Sequence, residues 1–354
     1  MAGFEELRAL RGAVAELMAK IDGLDDGGWT ELAAMGLLGL LVPERYGGAG
    51  AGPVEVGVVA EELGRVLFAG PYLSTAVLAV NLLVALDDSE QNETVLPAIA
   101  AGRTRVAVAF AEGASTRPPA EPATSVRGDG TALVTGEKRF VLDAGSADLL
   151  YVLAAAEAGP GVFAVDPAGP GVTVESLTTV DASRRLSVVR FADAPATAVG
   201  APGCGVEALT SALDRSAVAL LGEQAGAARC AMEMARDYAK TRYQFGRAIG
   251  SFQAVKHMCA DMLLEAESAV SAARHVAAAV ADGSSGWLAD LALAQAYCSD
   301  AFVFVGATNI QVHGGIGFTW EHPAHRYLRR ARGDAQLFGS PSWHRERYLR
   351  EIGA

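Results

Sequence analysis

Two short segments carry residue types that could hold a phosphorylated, flat ligand. The first is RYQFGRAIGSFQAVKH, Arg242 to His257, lying between two long alanine-rich stretches. Arg242 stands beside Gln244 and Phe245, where Gly246 and Gly250 interrupt the helical pattern. A guanidinium offers a planar fork of donors that matches a phosphate, and an aromatic ring can shelter a heterocycle. The second segment is QVHGGIGFTWEHP, Gln311 to Pro323, with Gly314, Gly315 and Gly317 close together. Without a Cβ, such a turn lets backbone N–H groups approach an anion. The spacing is not GxGxxG and no strand-like run precedes it, which disfavours a Rossmann dinucleotide site. Each segment, taken singly, also reads as an ordinary helix end: a solvated terminus for the first, a C-cap and loop for the second.

The elements that must position these segments follow from periodicity. Residues 1–102 read as helices: FEELRALRGAVAELMAKI, WTELAAMGLLGLLVP ending before Pro43, PVEVGVVAEELGRVL, YLSTAVLAVNLLVAL and a short NETVLPAIAAG, with a glycine-rich loop ERYGGAGAGP between the second and third. Residues 103–204 change texture. RVAVAF, ALVTG, KRFVL, DLLYVLAA, GVFAV, GVTVES and LSVVRFA are short, β-branched and punctuated by Gly, Pro and Asp, which predicts a compact antiparallel β domain. RPPAEPATS, Arg117 to Ser125, reads as a mobile excursion from it. Residues 205–354 return to helix, over Val206–Thr241, Gln253–Ala281 and Trp287–Val312, then two shorter pieces in HPAHRYLRRARGD and SPSWHRERYLREI. Long alanine-rich helices with short connections predict an antiparallel four-helix bundle. The fold class is therefore mainly α with a central β domain.

Composition excludes several functions. The 354 residues are 51% apolar and 20% charged, enough for a large core without disulfides. A net charge of −12 with no Lys/Arg run argues against nucleic acid and against a polybasic membrane anchor. Cys204, Cys230, Cys259 and Cys298 form no CxxC pair, so neither zinc nor dithiol chemistry is expected, no metal is implied, and a reducing cytoplasm is the expected location. The N-terminus lacks the basic and apolar regions of a signal peptide, and LLGLLV is far too short to span a bilayer.

Taken together, RxQFGxxIxxFQ, then QxxGGxGF, then HPAHRYLRRAR strongly resemble the acyl-CoA dehydrogenase family, and MGLLGLLVPERYGGAG is similar to its N-terminal domain. The resemblance covers nearly the whole chain and agrees with the helix–β–helix order. It implies FAD as cofactor and α,β-dehydrogenation of an acyl-CoA thioester. It also implies a homo- or hetero-tetramer and an electron-transfer flavoprotein or similar acceptor. By the same resemblance Arg242, Gln244 and Phe245 hold the pyrophosphate and adenosine part of FAD, Phe252 and Gln253 support that face, and Gln311, His313, Gly314, Gly315 and Gly317 contact the ADP portion. In the family these residues reach the flavin of the neighbouring subunit.

The chain departs from the family where the flavin ring and the base belong. A stretch like TEPGAGSD is replaced by FAEGASTRPP, Phe110 to Pro119, in which Glu112 survives. A strand like GxKxWITN is GEKRFVLD, with Phe140 for the tryptophan and Leu142 for the threonine hydroxyl, and leucine cannot hydrogen-bond a flavin nitrogen. The family's glutamate in YEGT falls, counted without gaps, at Phe338. The alternative base on the first bundle helix falls at Ser216. Asp214 lies two residues away, about 200° around a helix. Glu223 and Glu321 read as structural carboxylates. The expectation is the base-lacking subunit of a heteromeric enzyme, similar to the shorter subunits of two-gene dehydrogenases in sterol side-chain degradation. The alternatives are a self-sufficient homo-oligomer using an unusual base, with Asp214 as candidate, and a redox-silent acyl-CoA-binding protein.

Overall fold

The computed structural model describes residues 3–21, 28–128 and 132–354. The chain begins with helices α1 (Phe4–Met18), α2 (Gly28–Ala34) and α3 (Pro53–Arg65). A π-helical segment, Tyr72–Ala79, runs directly into α4 (Val80–Leu86), and α5 (Ser89–Ala100) follows. The strands are β1 (Val106–Ala109), β2 (Ser125–Arg127), β3 (Ala132–Leu142), β4 (Leu149–Ala154), β5 (Gly161–Val165), β6 (Val172–Ser176) and β7 (Leu186–Val199). Then come α6 (Gly205–Thr241), a hairpin of β8 (Tyr243–Gln244) and β9 (Arg247–Ala248), α7 (Gln253–Ala281), α8 (Trp287–His313), α9 (Gly315–Phe318), α10 (Ala324–Asp334) and α11 (Pro341–Glu351).

The chain divides into two compact units, one drawing on Met1–Asp25, Pro53–Phe68 and Ala217–Ala354, the other on Asp26–Gly52 and Ala69–Ser216. In the first, α8 packs against α7, α10 and α11. It is long and apolar enough to cross a bilayer, but 61% of its most apolar window is buried inside the protein, as the central helix of a bundle requires. Its core joins Ala231 and Ala235 of α6, Met262 and Ala266 of α7, Phe302 and Val305 of α8, and Tyr327 and Ala331 of α10. Small residues let α3 and α6 touch backbone to backbone: a Cβ on Gly226 would lie 1.8 Å from the Glu61 carbonyl oxygen, and one on Gly64 2.1 Å from that of Glu223. Arg330 of α10, buried, donates to the Leu67 and Phe68 carbonyls and ties this crossing to the bundle.

The second unit is built on a seven-stranded sheet ordered β1-β4-β5-β7-β3-β2, with β6 also on β7. Long β7 pairs with β5, β3 and β6, so one strand organises the sheet. The sheet departs from the antiparallel expectation at β1, which runs parallel to β4. The chain reaches β4 from β1 by way of β2 and β3, so no tight hairpin forces the two antiparallel. ALVTG and KRFVL are one strand, β3, because Gly136 and a second irregularity bend it without ending it. The expected helix over WTELAAMGLLGLLVP stops at Ala34. Gly36 is left-handed (φ 73°), and the apolar run continues as a short 3-10 turn that buries Leu37 and Leu38. Pro97 sits inside α5.

Candidate cofactor clamp and flavin-ring site

The clamp residues of the first unit are placed by the gap between α6 and α7. The Arg242 N–H closes the last turn of α6 on the Tyr238 carbonyl at 2.9 Å, and its carbonyl accepts from Ile249 N–H at 2.8 Å. Between these anchors, Tyr243 pairs with Ala248 and Gln244 with Arg247. The turn residues Phe245 (φ 53°) and Gly246 (φ 78°) are both left-handed, the requirement of a two-residue hairpin turn. Glycine meets that requirement freely, whereas a phenylalanine there carries strain. Phe245 is also 89% exposed, and its ring meets Phe252 edge-on at 6.1 Å, with Arg247 stacked over Phe252 at 4.1 Å. Stability alone does not explain an exposed aromatic ring at a strained turn.

The second segment packs against the first. His313, at the end of α8, stacks on Tyr238 four residues before Arg242, with ring centroids 4.3 Å apart, and His322 lies 4.4 Å beyond. Val312 and Ile249 share the same apolar cluster. His313 Nδ1 lies 2.8 Å from the Asn309 carbonyl. A carbonyl only accepts, so Nδ1 carries the proton in this contact. Burial holds His313 below its ordinary pKa, the Asn309 contact opposes this, and His322 adds to it. Neutral His313 therefore presents Nε2 as a bare acceptor, buried and without a partner among the described residues. Gly314 takes φ 65° and ψ −143°, and a Cβ on Gly317 would lie 2.8 Å from His313 Cβ.

These features fit a dinucleotide-like ligand. The side chains of Arg242, Gln244, Gln253 and Gln311 are exposed and make no ion pair or hydrogen bond among the described residues. An unpaired guanidinium, three free carboxamides and one orphaned buried acceptor form a donor–acceptor set suited to the phosphate, ribose and adenine groups of FAD. Tyr238 and His322 were not singled out from sequence. The only available signal was their polar-aromatic type beside the two glycine-rich breaks.

The flavin-ring side, in the second unit, differs. Glu112 accepts from Lys138 Nζ at 2.6 Å and from the Ala123 and Thr124 N–H groups at 2.7 and 2.9 Å. Burial pushes its carboxyl up, but these three donors outweigh it and leave the pKa at about 2. Lys138 has no solvent exposure, and burial lowers its pKa against the pull of Glu112. Glu112 is thus spent on structure. It ties down the far end of the excursion expected to be mobile, whose last residue opens β2. Phe140 (φ 53°) stands at the β3 irregularity between Lys138 and Val141, and Leu142 is buried.

Neither expected base position offers a proton acceptor. Ser216 is fully buried, donates to the Ala212 carbonyl at 2.6 Å and accepts from Asn81 Nδ2 at 3.0 Å. Phe338 is buried with φ 58°. Asp214 is buried and faces Arg117 Nη1 at 3.9 Å. Glu223, also buried, lies 3.6 Å from Arg330, and Glu321 is exposed.

Comparison with known proteins identifies the family. The family model described as acyl-CoA dehydrogenase, N-terminal domain, matches residues 5–103, and that of the C-terminal domain matches residues 203–353. The chain is 37% identical to acyl-CoA dehydrogenase FadE34 of Mycobacterium tuberculosis over 91% of its own length, and spans 41% of that longer protein. It is 30% identical to acyl-CoA dehydrogenase IpdE2 of the same organism, covering 93% of this chain and 87% of that one. Among solved structures, a chain of the ChsE4–ChsE5 complex from Mycobacterium tuberculosis superposes with a TM-score of 0.89 at 28% identity, over 99% of this chain and 98% of that one. The chain belongs to the acyl-CoA dehydrogenase family of oxidoreductases, whose cofactor is FAD.

Proposed function

We propose that this chain is the base-lacking subunit of a heteromeric acyl-CoA dehydrogenase, contributing an ADP-side clamp to a flavin shared with a base-bearing paralogue. The observation that carries the reading is an asymmetry. The side chains of Arg242, Gln244, Gln253 and Gln311 stand exposed and unpaired among the described residues, while the base positions hold Phe338 and a fully hydrogen-bonded Ser216. FAD, when bound, supplies the hydride acceptor for oxidation of the acyl thioester between Cα and Cβ. Arg242 would hold its pyrophosphate, Gln244 and Gln311 its flanking polar groups, and His313 Nε2 would accept from an N–H or O–H of the adenosine part. On this chain's own ring side, Leu142 offers no hydrogen bond, and neither Phe338 nor Ser216 supplies a carboxylate to take the α-proton. Similarity to a chain of a two-protein complex supports the heteromeric form. Electrons would leave to an electron-transfer flavoprotein or a similar acceptor.

The test is expression of the chain alone and together with a base-bearing acyl-CoA dehydrogenase paralogue. Flavin content and acyl-CoA oxidation are measured with an artificial acceptor. The expected result is little or no turnover alone, and a yellow, active complex with the partner. Ordinary turnover from a homo-oligomer of this chain would overturn the reading.

A further inference from the structure

The first unit contains a cavity that shares no residue with the clamp. Its volume is about 370 Å³, inside the roughly 300–1,000 Å³ span of small-molecule sites. Leu7 of α1, Val58 of α3, Val218 of α6 and Ala277 of α7 wall it. Apolar walls of this kind, open to solvent on one side, accept an apolar guest whose burial removes them from water. Gly57 keeps the space open: a Cβ there would come no nearer than 3.7 Å to Ala277 Cβ and 3.9 Å to Val218 Cγ1.

The polar residues lining the cavity are unbalanced. Arg8, Arg11 and Arg274 line it, against the single lining carboxylate of Glu61, and Arg11 is also taken by Glu62 outside the lining at 2.7 Å, which leaves Arg8 and Arg274 for a ligand. Glu61 accepts from Arg11 at 2.8 Å and from Arg274 at 2.9 Å. Burial raises its carboxyl, and the two guanidinia outweigh burial to leave it lowered, so Glu61 is ionised and already satisfied. Among the described residues Arg8 has only an exposed contact with Glu5 at 3.5 Å, the kind of pair worth about 0–1 kcal/mol. An anionic head at the mouth would gain the Arg8 and Arg274 guanidinia, and a cationic head would be repelled by them.

We propose that this cavity is a ligand site for a monocarboxylate with an apolar body, the body among Leu7, Val58, Val218 and Ala277 and the head at Arg8. The site is independent of the flavin clamp and of the heteromeric reading. The probe is laurate, titrated calorimetrically into the full chain, with dodecanol and dodecyltrimethylammonium as controls. Laurate is expected to bind once per chain, about tenfold or more tighter than dodecanol, the worth of one charge-assisted contact. Dodecyltrimethylammonium should not bind measurably. Arg8→Ala should abolish the preference of laurate over dodecanol, and Gly57→Leu, which fills the lumen, should weaken both, with melting and flavin content reporting intact folding. Should Gly57→Leu not fold, Arg8→Ala decides alone, because the Arg8 side chain is 72% exposed and its loss leaves the core untouched. Absence of saturable laurate binding, equal binding of the cationic control, or laurate binding unchanged in the folded variants would overturn the proposal.

Discussion

At the scale of single residues, the clamp gives up stability for contact. Arg242 is exposed and unpaired among the described residues although acidic side chains outnumber basic ones in this chain. Arg242→Ala should therefore leave folding unchanged. It should weaken FAD retention in the assembled enzyme by the roughly 1.5–3 kcal/mol of a charge-assisted hydrogen bond, read as flavin released on ultrafiltration. Phe245 makes the same point through its backbone. A left-handed non-glycine residue costs roughly 1–2 kcal/mol, and asparagine tolerates that conformation better than phenylalanine. Phe245→Asn should raise the melting temperature of the flavin-free protein and still loosen the flavin. If retention is unchanged, the exposed ring has no part in the clamp.

At the scale of elements, the Glu112–Lys138 pair joins β3 to the segment that precedes β2. Removing one partner strands a buried charge. Glu112→Gln alone, which strands the fully buried Lys138, should cost about 3–5 kcal/mol, and the double change Lys138→Met with Glu112→Gln considerably less. A double-mutant cycle by denaturant unfolding measures the difference. The pH dependence follows from the depressed carboxyl. Its contribution is fully present above the ordinary 4.5 and is lost as pH falls from there through about 2. In Glu112→Gln that acid-side loss should be absent from the stability profile. A second element-scale feature is the π-helical segment Tyr72–Ala79, entirely buried. Ser74 Oγ donates to Asp143 Oδ2 at 2.5 Å, and Thr75 Oγ1 donates to the Val106 carbonyl while accepting its N–H. Side-chain hydroxyls there serve the edge of β1, which lacks a strand partner on that side.

At the scale of the whole molecule, the proposed function turns on an asymmetry between clamp and base. Random decay would damage clamp and base alike. Arginine, glutamine and glycine stand at the expected clamp positions and neither expected base position holds a carboxylate, which is what the proposed reading requires of a subunit whose clamp serves a partner's flavin. Asp214 provides the discriminating experiment. In the complex with a base-bearing partner, Asp214→Asn should leave turnover essentially unchanged. A loss of about a hundredfold or more, the worth of a general base, would instead identify Asp214, which faces Arg117 Nη1 at 3.9 Å, as an unusual base.

Sequence alone determined the helix–β–helix order, the bounds of α7 to the residue and those of α6 and α8 to within one. Alanine-rich periodicity and glycine breaks are local signals, readable wherever neighbours in sequence decide the conformation. It also singled out the two candidate clamp segments, because arginine, glutamine and glycine at fixed spacing are chemistry written in order along the chain. The early stop of α2 at Gly36, the continuity of β3 and the parallel β1–β4 pair were not legible. Each depends on which distant strand or apolar surface satisfies the backbone. The same holds at the site. That Glu112 is spent on Lys138, that Tyr238 stacks on His313 with His322 tilted against it, and that His313 keeps one nitrogen bare among the described residues are consequences of separate segments meeting in space. Only tertiary packing decides which buried polar atoms find partners, and so which remain for a ligand.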